Sequence, residues 1–179
     1  MAEDHSEVTN WEDLGSDDVS ASDLAEAREL VRIGTEKDRQ ALPRVLLGIQ
    51  SPSAEVRIRA ADALAEIGDT AIVEAEQALI SLLSDPDKTV CYAAIAALGM
   101  LGCKSTVPRI IEFLNDSQYM IRVAASESLG YMGDPAALPH LLKVLTDRNQ
   151  VVRTFAACSI GLLAPATNTP EVRESIRNA

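Results

Sequence analysis

The sequence predicts an all-α protein, a right-handed α-solenoid of about ten helices stacked as helical hairpins. Three observations carry this expectation. Four segments superimpose, "VRIRAADALAEIGD" from Val56, "VCYAAIAALGMLGC" from Val90, "IRVAASESLGYMGD" from Ile121 and "VRTFAACSIGLLAP" from Val152, at spacings of 34, 31 and 31 residues. A leucine column, Leu64, Leu98, Leu129 and Ile160, keeps those spacings, as do Gly68, Gly102 and Gly133, and Gly34 lies 34 residues before Gly68. No segment shows the alternation of a half-buried strand, and a fixed period of roughly 20–50 residues marks a stacked repeat.

The elements follow in order. In "SASDLAEARELVRI", Ser20 or Ser22 is placed to cap a helix that covers the first repeat. Each unit then reads as two helices. In the last, "DPAALPHLLKVLTD" sets Ala137, Leu138, Leu141, Leu142 and Leu145 at helical spacing, "RNQ" turns the chain, and "VVRTFAACSIGLL" forms the second helix. Gly133 suits the left-handed cap that ends one helix, and Pro135 suits the first turn of the next. Small columns at Ala60, Ala94, Ala125 and Ala156 let neighbouring helices approach. A single hairpin buries too little apolar surface to offset its chain entropy, so the units must stack. "TPEVRESIRNA" places Pro170 near a helix start and is polar over most of its surface, as a terminal cap is. The expected organisation is an acidic, flexible tail over residues 1–20 and a solenoid over 21–179. Within it lie a capping helix at about 21–34, repeats at about 35–164 and a C-terminal cap at 165–179.

The pattern L-P-x-L-L-x-x-L-x-D followed by V-R-x-x-A-A-x-x-L-G-x-x-G-D recurs over about residues 30–164 and resembles HEAT repeats, especially the short phycobilisome-lyase-like class. The resemblance implies an Asp in the turn and an Arg six residues later, forming a ladder along the stack. Asp116 with Arg122 and Asp147 with Arg153 match it. Ser51 replaces the acid before Arg57 and Cys91 replaces the base after Asp85, so the ladder is expected to weaken toward the N-terminal half. The resemblance also implies that the second helix of each pair lines the concave side.

Charge is unevenly distributed. The net charge is -11, yet residues 1–27 carry nine acids and no Lys or Arg, leaving 18 acids against 16 bases in the body. A polyanionic tail on a near-neutral body argues against nucleic acid as the main ligand, which needs clustered bases, and suits a protein with a basic patch. Cys91, Cys103 and Cys158 are an odd number without C-x-x-C, and there is neither a signal peptide nor an apolar run long enough for membrane insertion. These features point to a cytoplasmic protein.

No catalytic constellation is visible. The two histidines, His5 and His140, have no Cys or carboxylate at zinc-ligand spacing, and no H-E-x-x-H, G-x-S-x-G, P-loop or dinucleotide motif occurs. The repeated His-Glu pairs of iron-binding HEAT hydroxylases are missing as well. The expectation is therefore no enzymatic activity, no cofactor and no metal.

Positions that hold the fold should look alike between repeats, whereas positions that meet a ligand need not. The divergent columns of the second helices are Ile58, Tyr92, Val123, Thr154; Arg59, Ala93, Ala124, Phe155; Asp62, Ala96, Glu127, Cys158; and Glu66, Met100, Tyr131, Leu162. The last three, at offsets 0, 3 and 7, share one helix face. The expected protein-binding residues are Arg59, Asp62, Glu66, Tyr92, Met100, Glu127, Tyr131 and Phe155, with Tyr131 favoured because its hydroxyl suits a wet edge. For Phe155 and Leu162, filling the core between repeats stands as the alternative. Val8, Trp11 and Leu14 recur at three-residue spacing inside the acidic tail. Trp11 either caps the first helix, docks in the chain's own groove, or anchors a linear motif in a partner.

The functional expectation is a protein-binding scaffold: an adaptor, an assembly factor, a chaperone-like partner or an inhibitor. The alternatives are a subunit of bilin lyase or isomerase type, needing a tetrapyrrole-sized pocket, and an immunity protein that neutralises a basic protein.

Overall fold

A computed structural model describes residues 19–68 and 72–167. Among them are nine α-helices and no strand: α1 Ala21–Glu36, α2 Leu42–Gly48, α3 Ala54–Ile67, α4 Ile72–Leu82, α5 Lys88–Met100, α6 Val107–Glu112, α7 Tyr119–Met132, α8 Leu138–Val144 and α9 Gln150–Thr167. The all-α solenoid of helical hairpins is as expected. The tenth helix, expected at the C-terminal cap, falls on residues 168–179, outside the described residues.

The helices form two layers. α3, α5, α7 and α9 pack side by side with α1 on the outer flank of α3, while α2, α4, α6 and α8 pack against their own partners. Between the layers lie the repeated columns. Leu64, Leu98, Leu129 and Ile160 are all 0% exposed, as are Ala60, Ala94, Ala125 and Ala156. Pro43, Pro108 and Pro139 stand at the first helical turns of α2, α6 and α8, where no intrahelical N–H bond is lost. Of the two serines offered as caps for α1, Ser20 takes the role. Its Oγ accepts from Asp23 N at 3.1 Å, and its own N–H donates to the Asp23 carboxylate at 3.3 Å, a reciprocal capping box.

Two glycine roles separate here, and one sequence-based reading changes. Gly68, Gly102 and Gly133 lie past the ends of α3, α5 and α7 with φ of 64°, 65° and 64°, the left-handed region that a side chain disfavours. The equivalent residue after α1 is Lys37 at φ 52°. Gly34 sits inside α1 and has a different purpose. A Cβ there would lie 3.0 Å from Ala63 Cα, just as one on Gly99 would lie 2.6 Å from Ser128 Cβ and one on Gly130 2.7 Å from Ser159 Cβ. Gly34 therefore corresponds to Gly99 and Gly130 rather than to Gly68. It lets α1 approach α3 as α5 approaches α7, so α1 has the place of a second helix. Closest approach is made by these glycines facing Ala or Ser, in addition to the alanine columns.

The charge ladder is also arranged differently from the expected pairs. Arg122 Nη1 donates to the carbonyls of Asp116 and Ser117 in its own turn, at 2.9 and 3.2 Å. Its Nε and Nη2 reach forward to both oxygens of Asp147 in the next repeat, at 2.8 and 2.9 Å. Arg57 does the same with Ser51 and Pro52 carbonyls behind it and Asp85 ahead, again at 2.8 and 2.9 Å to the carboxylate. In the repeat where Cys91 replaces the arginine, Lys88, one helical turn earlier, bonds Asp116 at 2.7 Å. Each rung joins a base to the acid of the following repeat, so Ser51 costs only the rung from α1, where Glu26 stands in the place of Arg57, and the α3 rung is as full as that of α7. The acids also close their own turns: Asp85, Asp116 and Asp147 accept from the N–H groups of Asp87, Gln118 and Asn149 at 2.9, 2.9 and 2.8 Å.

Candidate functional site

The outward face of the second-helix layer is built from four positions per helix at spacing i, i+4, i+7 and i+11, which an α-helix brings to one side. α5 supplies Thr89, Ala93, Ala96 and Met100; α7 supplies Met120, Ala124, Glu127 and Tyr131; α9 supplies Val151, Phe155, Cys158 and Leu162. α3 contributes Glu55, Arg59, Asp62 and Glu66 in the same register. α1, aligned through Gly34, contributes Leu24, Arg28, Val31 and Thr35.

Met100, Tyr131 and Leu162 form one exposed row, at 65%, 57% and 55% of their full exposure. Leu162 thus faces outward, whereas Phe155 is half-buried against the core. On the other side of the face, Met120 and Val151 are also exposed, and between the rows Ala93 and Ala124 are buried. The result over α5 and α7 is a trough with an alanine floor. Sequence reasoning missed Met120, Val151, Leu24 and Val31. The first two lie one helical turn before the columns it followed; the last two were hidden because Gly34 had been aligned with Gly68.

At the α3 end the trough meets charge. Arg59 donates to Glu55 at 2.9 Å and to Asp62 at 3.4 Å. Burial pushes the Asp62 carboxyl up, the Arg59 guanidinium opposes that, and Glu66 and Glu55 add to the rise. Val31, Arg59, Asp62, Glu66 and Met100 line a shallow cavity of about 190 Å³ between α1, α3 and α5. In the trough, Tyr131 donates its hydroxyl hydrogen bond to Glu127 at 3.1 Å, which raises the phenol pKa above its ordinary value. Tyr92 is half-buried beside Glu127, and burial, then the Glu127 charge, raise its pKa too. The structure thus brings Arg59, Asp62, Glu66 and Met100 together at one end and Tyr92, Glu127 and Tyr131 together at the centre. Trp11 lies outside the described residues.

Three cysteines are free thiols, Cys91 and Cys103 buried and Cys158 exposed. Burial, then the charge of Glu76, pushes the Cys103 thiol up to about 11. Among the described residues no three His, Cys, Asp or Glu side chains are grouped to hold a metal ion, and no helix is long and apolar enough to cross a membrane.

Stacked hairpins with a forward-reaching charge ladder and one divergent face define a helical-repeat solenoid. The family model for HEAT repeats matches residues 42–102 and 76–161, and the chain belongs to that family. A comparison with curated proteins finds no match. Among solved structures the chain is similar to human deoxyhypusine hydroxylase in complex with glycerol, at 24% identity and a TM-score of 0.60 over 72% of this chain and 45% of that one. It is also similar to the complex of CpcE and CpcF of phycocyanin lyase from Nostoc sp. PCC7120, at 24% identity and a TM-score of 0.69 over 90% of this chain and 65% of that one. The chain thus spans less than two thirds of either, and at this identity the likeness is one of fold.

These neighbours correct the expectation of no enzymatic activity. A hydroxylase and a lyase carry the same fold. One fold can host both binding and catalysis, so the lack of a compact motif in the sequence does not make the chain non-enzymatic.

Proposed function

We propose that the chain is a protein-binding scaffold whose second-helix face takes a partner segment with apolar anchors and a basic flank. One observation carries this reading: of ten large hydrophobic residues exposed among the described residues, seven lie on that face. Soluble proteins scatter such residues singly, and their gathering on one surface marks an interaction site. Met and Tyr are typical anchors because they offer much contact area in adaptable or rigid form. The face also carries four acids, Glu55, Asp62, Glu66 and Glu127, against Arg28 and Arg59, and residues 1–27 add nine acids without a base. Both favour a basic partner and steer its approach. An adaptor, an assembly factor and an inhibitor all use such a surface.

The test is affinity capture from native cell extract with the full chain and with a Met100→Ala, Tyr131→Ala variant, bound proteins being identified by mass spectrometry. A protein held by the first and lost by the second is expected. A protein held equally by both would move the site elsewhere.

A second reading, a subunit of bilin lyase type, is favoured by the likeness to the phycocyanin lyase complex over 90% of this chain. The cavity of about 190 Å³ is smaller than the roughly 300–1,000 Å³ usual for ligand pockets, so a second subunit would have to complete it. Adding free bilin and recording its visible absorbance tests this: a shifted, intensified band supports it and an unchanged spectrum removes it.

A further inference from the structure

We propose that the far side of α9 is a docking face for a helical hairpin of a partner protein, which supplies a carboxylate to Arg153 and a serine or alanine to Gly161. This goes beyond the second-helix face and does not depend on it.

The same junction is built along the stack. At α7 and α9, Arg122 holds Asp147 and Gly130 meets Ser159; at α5 and α7, Lys88 holds Asp116 and Gly99 meets Ser128. The α7 side of its junction consists of Arg122, Val123, Ser126 and Gly130, all buried beneath α9. The equivalent positions 31 residues later are Arg153, Thr154, Ala157 and Gly161, and none of them is buried. Arg153 keeps the backward half of the contact: its Nη1 donates to the carbonyls of Asp147 and Arg148 at 2.8 and 3.4 Å. Its Nε and Nη2, the atoms that in Arg122 grip the next aspartate, bond no described residue. A Cβ on Gly161 would meet nothing within 4 Å, where Gly99 and Gly130 have no room for one.

The face therefore continues an interface already repeated in the molecule, with a forked cation awaiting a carboxylate. Head-to-tail stacking of a second copy is opposed at the other end of the solenoid. The residue that meets the glycine is Ala63, Ser128 or Ser159 at the internal junctions, but 31 residues before Ala63 stands Arg32, exposed and paired with Glu29 and Glu36. α1 thus carries a charged side chain at the position where the internal junctions have Ala or Ser, which hinders close approach of another helix there.

Two measurements on the full chain test this. In the first, a second copy of residues 133–163 is inserted after Leu163, so that an added hairpin meets α9 as α8 and α9 meet α7. The enlarged chain is expected to melt at a higher temperature. Arg153→Ala is expected to lower its Tm as Arg122→Ala lowers that of the parent, while leaving the parent's own Tm nearly unmoved. An unchanged Tm on insertion, or indifference of the enlarged chain to Arg153→Ala, overturns the proposal. In the second, affinity capture is repeated with Gly161→Leu and with Tyr131→Ala. A partner retained by Tyr131→Ala but lost from Gly161→Leu is expected. Retention by Gly161→Leu, capture of nothing, or a self-associated chain that Gly161→Leu converts to monomer overturns it. Loss with Tyr131→Ala alone would instead assign that partner to the second-helix face.

Discussion

Arg57 and Asp85, 28 residues apart, form a two-pronged ion pair across a repeat boundary, with Nε and Nη2 at 2.8 and 2.9 Å from the two carboxylate oxygens and side chains only 13% and 7% exposed. The pair joins a helix of one hairpin to the turn of the next. Removing one partner leaves a largely desolvated charge behind. Arg57→Ala is therefore expected to destabilise the chain by about 3 kcal/mol, the scale for breaking a buried pair. Chemical denaturation should show this as a lowered midpoint; a midpoint within experimental error of the parent would mean that the rung carries no net stability.

The C-terminal rungs make stability depend on acid. Arg122, first, holds the Asp147 carboxyl below its ordinary range, against burial, helped by the Asn149 N–H. Burial raises Asp116, but Lys88, the Gln118 N–H and Ser117 together outweigh it, so its carboxyl is lowered as well. A carboxyl depressed in the folded state contributes fully above its unfolded pKa of about 3.9 and loses that contribution as pH falls through the folded value. Tm is expected to be flat from about pH 6 to 5 and to fall below about pH 4. Asp147→Asn should lower Tm at pH 6 and reduce the acid slope; an unaltered slope would take the titration away from this residue.

Equivalent glycines should respond with opposite sign. A methyl on Gly130 would stand 2.7 Å from Ser159 Cβ and force α7 and α9 apart, so Gly130→Ala is expected to cost about 1–3 kcal/mol. Gly161 lies inside α9 with no described atom within 4 Å of where a methyl would stand, so Gly161→Ala should stabilise by about 0.5–1 kcal/mol through helix propensity. Thermal melts of both variants decide this, and equal responses would contradict the placement of the glycines.

Lys37 holds a left-handed conformation at φ 52° where the later repeats use glycine. Lys37→Gly relieves that strain and is expected to raise stability by about 0.5–1 kcal/mol, less than the full left-handed penalty because glycine also frees the unfolded chain. A lower Tm would show that the lysine side chain contributes more than its backbone costs.

Leu98 is 0% exposed and Tyr131 is 57% exposed. Leu98→Ala should cost about 2–5 kcal/mol, as a cavity between the layers cannot refill. Tyr131→Ala should stay within about 0.5 kcal/mol of the parent, as at surface sites away from the core. Circular-dichroism melts compare them directly, and a large loss for Tyr131→Ala would assign that ring to packing.

The helices, their pairing and the buried columns were legible because a repeat states its own register several times. A residue such as Leu64 that recurs as Leu98, Leu129 and Ile160 must occupy one environment, and only the interior suits it. Three of the four columns of the outward face were legible for the complementary reason, as positions free to differ. Met120 and Val151 were not, because an exposed apolar residue at a helix start has no distinguishing local pattern. Gly34 was misaligned because spacings of 31 and 34 both occur, and a glycine serves equally as a helix end and as a close contact until its neighbour is known.

By itself the sequence determined the local and periodic features: an all-α repeat, the glycines after α3, α5 and α7, the apolar layer, and a charge distribution with the acids gathered at one end. These depend on helical periodicity and backbone preference, which act within one unit. Tertiary structure alone decided which base meets which acid, that α1 takes the place of a second helix, that Leu162 faces outward while Phe155 is half-buried, and that no described residue covers Arg153 and Gly161 on the far side of α9. Each of these depends on how neighbouring units are displaced against one another, and a side chain that reaches across a boundary is specified by that displacement, not by its position within its own repeat.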